Sequence, residues 1–231
     1  MKYTYELSRE MKSLMAGDMT AFRNFYLLTV NEVNFHTALV TQSQATANKL
    51  IVRIYKKMFM RLNRLQRPED TVEWFNGILY NELTEWVNMN CADLLFEEEE
   101  GKYHHCPEVP VLADIDTDTM QNEAETANLV TDLIPQLLPI HALTGLAYFY
   151  DNLDMQTMCE YLQADSEVIN DRIRYATAAL AAATVKFGKD NRVEVQKVDT
   201  HLILLAYVLL FQSVRVPNSE DLYDQIIEAV A

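Results

Sequence analysis

Six basic side chains recur along one predicted helix and form the strongest chemical signal in the chain. No acidic residue interrupts residues 49–67. At about 100° per residue, the six lie on the side of the helix opposite its apolar residues. Such a face can bind nucleic acid or an acidic protein, and an ordinary solvated helix face explains it equally well. The six residues are Lys49, Arg53, Lys56, Lys57, Arg61 and Arg64.

A third use of this basic face is internal. Residues 97–100 are four consecutive glutamates that follow the predicted helix a short distance downstream. If this run folds back onto the basic face, surface ion pairs of about 0.2–1 kcal/mol each would form a weak latch. Such a latch would be sensitive to salt, because salt screens exposed charges.

The residue patterns of common enzymes are absent. The sequence has no Gly-rich phosphate loop, no zincin-type helix and no nucleophile elbow, so we predict a protein without enzymatic activity. Residues 104–106 read His-His-Cys, with Cys91 upstream. This spacing matches no zinc pattern, so we expect neither a metal nor another cofactor.

Cysteine use and apolar runs indicate the compartment. The chain has three cysteines, none of them in a CxxC pair, and its first six residues contain no apolar leader. We therefore expect a cytoplasmic protein. The longest apolar run covers residues 202–211. It is shorter than the roughly 20 residues that span a bilayer, so no membrane contact is expected.

Composition predicts an all-α fold. Of the 231 residues, 49% are hydrophobic and 23% charged, and only 5 are Gly and 6 are Pro. Leu, Met, Ala, Glu and Gln recur at helical spacing. The net charge is −15, and residues 87–137 alone contain 12 acidic residues and 1 basic residue. Like charges at this density oppose compaction, so much of the segment reads as a linker between two helical modules. A helix is predicted to resume near residue 120 and to end before Pro135.

The first module is predicted to contain three helices around one small core. The first helix begins at Asp18 as its N-cap and carries an aromatic face that includes Phe22. The second runs from about residue 43 to residue 67 and stops at Pro68. The third covers about residues 71–86.

The second module is predicted to contain a helix-turn-helix. Asp154 caps a short helix over residues 155–162, and Asp165 caps a longer helix that ends near residue 185. The turn between them is residues 163–165. A helix upstream, over about residues 139–150, would complete the unit. The outward face of the longer helix carries Glu167, Asn170, Asp171, Arg174, Tyr175 and Thr177.

The C-terminal segment is strongly apolar. Residues 202–211 are apolar on all sides, so most of the circumference of this helix must be covered. It either packs on the helix-turn-helix module or forms a dimer or partner surface. We expect burial within the same chain. A final amphipathic helix is predicted to begin at residue 219 or 220 and to end at residue 230.

The order of these parts resembles a small sigma factor of bacterial RNA polymerase, of the extracytoplasmic-function group in the sigma-70 family. Residues 16–26 resemble the family's GD..AF..LY start, and residues 73–81 resemble its AWLYRIARN stretch. Residues 47–59 resemble the helix that binds the polymerase clamp. Residues 154–180 align without a gap to the helix-turn-helix that reads the upstream promoter element. The resemblance covers about residues 13–86 and 133–184.

The resemblance implies a division of the chain and a set of partners. Residues 1–88 would form a region 2-like domain, residues 89–132 an acidic linker, residues 133–186 a region 4-like domain and residues 187–231 a C-terminal extension. The expected partners are the clamp of core RNA polymerase and promoter DNA. An anti-sigma or other regulatory protein is a further candidate.

The resemblance also implies site residues. Clamp contact would come from the basic face, through Lys49, Arg53, Lys56, Lys57 and Arg61. Contact with melted downstream DNA would come from Trp74, Tyr80 and Asn81, because aromatic rings stack on unpaired bases. Contact with the upstream element would come from Asn170, Arg174, Tyr175 and Thr177.

The sequence departs from the family at several of these positions. Lys49, Val52 and Arg53 stand where the family has Asp, Gln and Glu. Asn170 replaces a Lys, and Tyr175 and Thr177 replace Arg. Phosphate contacts by Lys and Arg supply most DNA affinity. The alternative interpretation is therefore a diverged sigma-like regulatory or protein-interaction module that has lost DNA binding.

Overall fold

The computed structural model describes residues 4–91, 122–214, 216–217 and 219–230. Every regular element in these ranges is helical and none is a strand, so the predicted all-α class is confirmed. The α-helices are α1 (Thr4–Met15), α2 (Thr20–Thr41), α3 (Gln44–Met60), α4 (Thr71–Asn90), α5 (Asn122–Leu133), α6 (Pro139–Gly145), α7 (Met155–Leu162), α8 (Ser166–Asn191), α9 (Thr200–Ser213) and α10 (Ser219–Val230).

The chain divides into two compact units at boundaries different from the predicted ones. Unit 1 combines Met1–Trp86 with Val214–Ala231, and unit 2 is Val87–Ser213. The predicted extension over residues 187–231 is therefore split, with α9 in unit 2 and α10 in unit 1. The predicted linker over residues 89–132 includes α5, which packs within unit 2. Residues 92–121, with the glutamate run, lie outside the described residues.

Unit 1 has an aromatic core to which α2, α3 and α4 all contribute. The ring of Phe75 lies 5.2 Å from that of Phe25 and 5.6 Å from that of Tyr55. The Tyr55 hydroxyl lies 2.7 Å from the Thr29 hydroxyl, so the one polar atom of this buried ring has a hydrogen-bond partner. The shared core fixes which faces of α3 and α4 meet.

The helix ends in unit 1 match the predictions only in part. Ser43 caps α3 as its hydroxyl accepts a bond from the Thr46 N–H. The helix ends at Met60, earlier than predicted, and 3₁₀ turns at Leu62–Arg64 and Pro68–Asp70 lead into α4. Met19, and not the predicted Asp18, is the N-cap of α2, although the Asp18 carboxylate accepts a 3.0 Å bond from the Thr20 N–H.

Unit 2 is built around α5, which packs against both α8 and α9. The Thr131 hydroxyl donates a 3.2 Å bond to the Ala206 carbonyl oxygen, which ties α5 to α9. The α6 helix continues as a π-helix over Leu146–Tyr150. Gly145, at the end of α6, lets the ring of Tyr207 approach closely, since a side chain there would overlap the Tyr207 hydroxyl. The predicted helix near residue 120 and the predicted upstream helix at 139–150 are both present.

The apolar helix α9 is covered along one stripe. Its fully buried residues include Ile203, Ala206 and Tyr207, whereas Leu204 remains 39% exposed. The predicted burial within the same chain therefore holds for one side of the helix. None of the helices in the described ranges combines the length and the apolar character needed to cross a membrane.

Candidate functional site

The basic face of α3 is joined to α4 by ion pairs within unit 1. The Glu82 carboxylate on α4 is completely buried and contacts the Arg53 Nε and the Lys57 Nζ. A buried carboxylate is stable as a charge only when cations lie next to it. Arg53 and Lys57, one helical turn apart, supply those cations.

Glu85 extends this network towards the solvent. It contacts Arg53, and its carboxylate lies 3.1 Å from the Lys57 Nζ. Burial raises the pKa of the Glu85 carboxyl, but Lys57 and Arg53 together outweigh burial, so the pKa lies below its usual value. Glu85 therefore stays charged across the neutral range and keeps the network intact.

These pairs separate Arg53 and Lys57 from the other predicted polymerase-binding residues. Arg53 and Lys57 are already engaged by Glu82 and Glu85, so they hold α3 to α4. Lys49 and Lys56 are exposed and have no ion-pair partner among the described residues. Arg61 is half-buried at the C-cap of α3. The part of the basic face that lies outside these ion pairs is therefore smaller than the sequence suggested.

The basic face does form ion pairs with acidic residues of the same chain, but these are not the glutamates that the sequence suggested. The acidic residues are Glu82 and Glu85 on α4, and the run at residues 97–100 lies outside the described residues. The spacing of the two glutamates, three apart on one predicted helix, is a signal that the sequence contained.

The three predicted contacts for melted DNA on α4 differ in exposure. Trp74 and Asn81 are half-buried. Tyr80 is fully buried, and its ring meets that of His36 edge-on, with centroids 5.8 Å apart. The assignment of Tyr80 as a DNA contact is therefore wrong for this conformation, because the ring has no surface on which a base could stack.

A helix, a short turn and a longer helix occur in unit 2 where the sequence predicted them. The Asp154 carboxylate accepts a bond from the Thr157 N–H and caps α7. Gln163 adopts a left-handed conformation with φ of 52° and ends that helix. The Asp165 carboxylate then accepts bonds from Glu167 N–H and Val168 N–H, which begins α8. Unlike the prediction, α8 continues past residue 185 to Asn191.

Three of the predicted DNA contacts on α8 bond to their own helix. The Asn170 Nδ2 donates to the Ser166 carbonyl oxygen at 2.8 Å, and the Thr177 hydroxyl donates to the Ile173 carbonyl oxygen at 2.8 Å. Arg174 pairs with Asp171 one turn earlier. Asn170 and Arg174 are exposed, and Thr177 is half-buried. Exposed bonds of this kind contribute little to stability, so a ligand can replace them at small cost.

The fourth predicted contact on α8, Tyr175, stacks on a buried histidine. Its ring lies 4.2 Å from that of His141 on α6, at an interplanar angle of 25°. Burial, and then the nearby Arg172 charge, lower the pKa of His141 to about 4. His141 is therefore neutral at pH 7. The stack fixes Tyr175 against α6. Tyr175 is half-buried there, so part of it remains exposed.

The described residues contain no cluster of three or more His, Cys, Asp or Glu side chains that could hold a metal ion. The His-His-Cys stretch at residues 104–106 lies outside them. Cys91 is buried, and burial raises the pKa of its thiol, so it is a poor thiolate donor.

Comparisons with protein-family models, with curated proteins and with solved structures find no match to this chain.

Proposed function

We propose that this chain is a sigma-factor-like protein of transcription initiation that binds core RNA polymerase and promoter DNA. The observation that carries the proposal is the capped helix, turn and helix of α7 and α8, at the positions where the sequence resembles the upstream-element reader. It follows in chain order the α2–α3–α4 core, whose sequence resembles the polymerase-binding part of the same family.

Contact with the polymerase would come from the part of the α3 face that lies outside the ion pairs with Glu82 and Glu85. Lys49 and Lys56 lie on this face and have no ion-pair partner among the described residues. Both residues can approach an acidic partner surface without breaking an internal contact. Arg53 and Lys57 would have a supporting role, because they position α3 on α4.

Contact with DNA would come from the outward face of α8. Asn170 and Arg174 are exposed there. Asn side chains pair with the adenine edge in the major groove, and Arg contacts guanine or phosphate. Asn170 bonds to the Ser166 carbonyl oxygen and Arg174 pairs with Asp171, and exposed interactions of this kind are weak enough for DNA contacts to replace them.

A second candidate function is a sigma-like protein-interaction module that no longer binds DNA. The observation in its favour is that Asn170, Arg174 and Thr177 bond within α8 and Tyr175 stacks on His141. The net charge of −15 also opposes DNA binding.

Capture of purified core polymerase by the full chain tests the polymerase contact. We expect binding of the unmodified chain and about tenfold weaker binding of a Lys49→Glu, Lys56→Glu double variant. Lys12→Glu, an exposed change of the same kind on α1, is the control and should bind normally. If the chain captures no polymerase, polymerase binding is ruled out for both candidate functions.

Gel shifts across a range of salt concentrations separate the two candidates. Retained DNA binding predicts a shift at low salt that Asn170→Ala and Arg174→Ala weaken and that higher salt abolishes. If no DNA sequence is shifted at low salt while polymerase is still captured, the second candidate is correct.

A further inference from the structure

The last helix of the chain occupies an aromatic groove on unit 1. The α10 helix packs against α2 and α3. The ring of Tyr223 stacks on Phe22 with centroids 5.5 Å apart and an interplanar angle of 20°, and it lies 5.3 Å from the ring of Tyr26. The sequence predicted this helix correctly but gave no indication of the surface that it covers.

Polar contacts fix the register of α10 in the groove. Arg23 on α2 donates to both carboxylate oxygens of Glu220, at 2.9 and 2.7 Å. The same guanidinium lies 5.1 Å from the centroid of the Tyr223 ring, at cation–π distance. The Tyr26 hydroxyl donates a 2.6 Å bond to the Ser219 carbonyl oxygen. One arginine therefore recognises both an acidic and an aromatic residue, three positions apart on one helix.

Few residues of α10 are buried against unit 1. Only Leu222 and Ile226 are buried on this helix, whereas Asp221, Asp224 and Glu228 are exposed. A helix of 12 residues is marginal on its own in water, so α10 folds only against a partner surface. Its departure would uncover the ring faces of Phe22 and Tyr26, which are now buried. Uncovered aromatic surface of this kind favours binding of another amphipathic helix.

We propose that the α2–α3 groove is a helix-binding site that α10 occupies in the isolated chain and that a helix of a partner protein takes by exchange. The partner helix has the chemistry of α10: an acidic residue in its first turn, an aromatic residue three positions later, and aliphatic residues at the positions of Leu222 and Ile226. The positive charge of Arg23 selects the acidic residue by charge complementarity.

A charge reversal tests the exchange in the full-length chain. Arg23→Glu places a carboxylate opposite Glu220 and should loosen α10. A fluorescein-labelled peptide of residues 216–231 carrying Glu220→Arg then matches the altered groove. Fluorescence anisotropy would measure its binding to four full-length chains: unmodified, Arg23→Glu, Arg23→Glu with Glu220→Arg, and Lys12→Glu.

We expect the peptide to bind the Arg23→Glu chain at least tenfold more tightly than the other three. The double variant restores the internal pair and so should close the groove again, and Lys12→Glu controls for the charge change alone. Equal binding to the Arg23→Glu chain and the double variant would overturn the proposal. If circular dichroism shows that Arg23→Glu does not fold, Tyr223→Ala loosens α10 instead and must bind the unmodified peptide more tightly than the parent chain. The assay contains neither polymerase nor DNA, so its outcome is independent of the transcription role proposed above.

Discussion

Each unit buries a titratable side chain, and the two units stabilise that group in opposite ways. In unit 1, Glu82 is buried as a charge between Arg53 and Lys57. In unit 2, His141 is buried as a neutral ring stacked on Tyr175, with its pKa lowered to about 4. The first arrangement needs charged partners from a neighbouring helix, whereas in the second burial and the Arg172 charge keep the ring neutral.

The same contrast extends to the polar surfaces. Several charged residues of unit 1 pair across helices, as Arg53 does with Glu85 and Arg23 with Glu220. On α8 in unit 2, Arg174 and Asn170 bond within one helix. A ligand that recruits Arg53 breaks a contact between α3 and α4, whereas a ligand that recruits Asn170 breaks a bond within α8. The candidate binding residues are therefore more available on α8 than on the α4 side of α3.

The largest effect should follow from removing both cations around Glu82. An Arg53→Ala, Lys57→Ala double variant leaves a buried carboxylate without compensation, which costs about 3–5 kcal/mol of unfolding free energy. Chemical denaturation would measure it. The matched control, Lys49→Ala with Lys56→Ala on the same helix, should stay within about 0.5 kcal/mol of the parent.

A third substitution distinguishes the effect of the uncompensated charge from the effect of lost packing. Adding Glu82→Leu to the Arg53→Ala, Lys57→Ala variant removes the uncompensated charge and should restore most of the lost stability. If the Arg53→Ala, Lys57→Ala variant is as stable as the Lys49→Ala, Lys56→Ala control, then Arg53 and Lys57 do not stabilise Glu82. The division of the basic face would then be wrong.

The second prediction concerns pH. The unfolded chain protonates His141 near pH 6.5, but the folded chain does so only near its pKa of about 4. As the pH falls through this window, the unfolded state binds the proton first, so stability decreases, by about 3 kcal/mol at the lower end. His141→Phe keeps a ring against Tyr175 and should remove this part of the acid sensitivity.

Denaturation curves at several values between pH 6.5 and pH 4 would test this prediction. At each pH, the difference in unfolding free energy between the parent and His141→Phe gives the contribution of the histidine, because the carboxylates titrate in both chains. A constant difference across the window would mean that His141 is as readily protonated in the folded chain as in the unfolded chain.

Local signals in the sequence predicted the helices better than their partners. Asp154 and Asp165 act through hydrogen bonds two or three residues away, so the caps of α7 and α8 could be identified from spacing alone. The end of α3 could not, because 3₁₀ turns replace its last predicted turns. Short-range capping is encoded locally, whereas the choice between a helix and a 3₁₀ turn depends on the surrounding packing.

The errors at the candidate site have one physical cause. Burial of Tyr80 depends on His36 from α2, and the pairing of Lys57 depends on Glu82 from α4. The return of α10 to unit 1 depends on Arg23, 197 residues from Glu220. Each involves the meeting of two helix faces, and a single sequence shows each face but not which other face it meets.

The third prediction concerns the contact between α6 and α9. A methyl group at Gly145 would overlap the Tyr207 hydroxyl, and the Tyr207 Cζ is 3.3 Å away. Gly145→Ala should therefore destabilise unit 2 by about 1–3 kcal/mol through overpacking. Tyr207→Phe removes the overlapping oxygen, which is buried without a hydrogen-bond partner among the described residues. Thermal denaturation should show that the double variant recovers much of the loss, and a merely additive result would mean that the two residues do not meet.

The smallest effect is expected on the exposed face of α8, where it is most informative about function. Asn170→Ala removes a bond to the Ser166 carbonyl oxygen and Arg174→Ala removes an ion pair with Asp171, both exposed, so each should change the unfolding free energy by no more than about 0.5 kcal/mol. Alanine is also the better helix former at position 170, which offsets the lost bond. Denaturation of both variants would check this.

A loss above about 1.5 kcal/mol would show that these side chains support the fold. Any loss of DNA or partner binding by the variants would then not identify a contact. A loss of binding without a loss of stability assigns the residue to the interface.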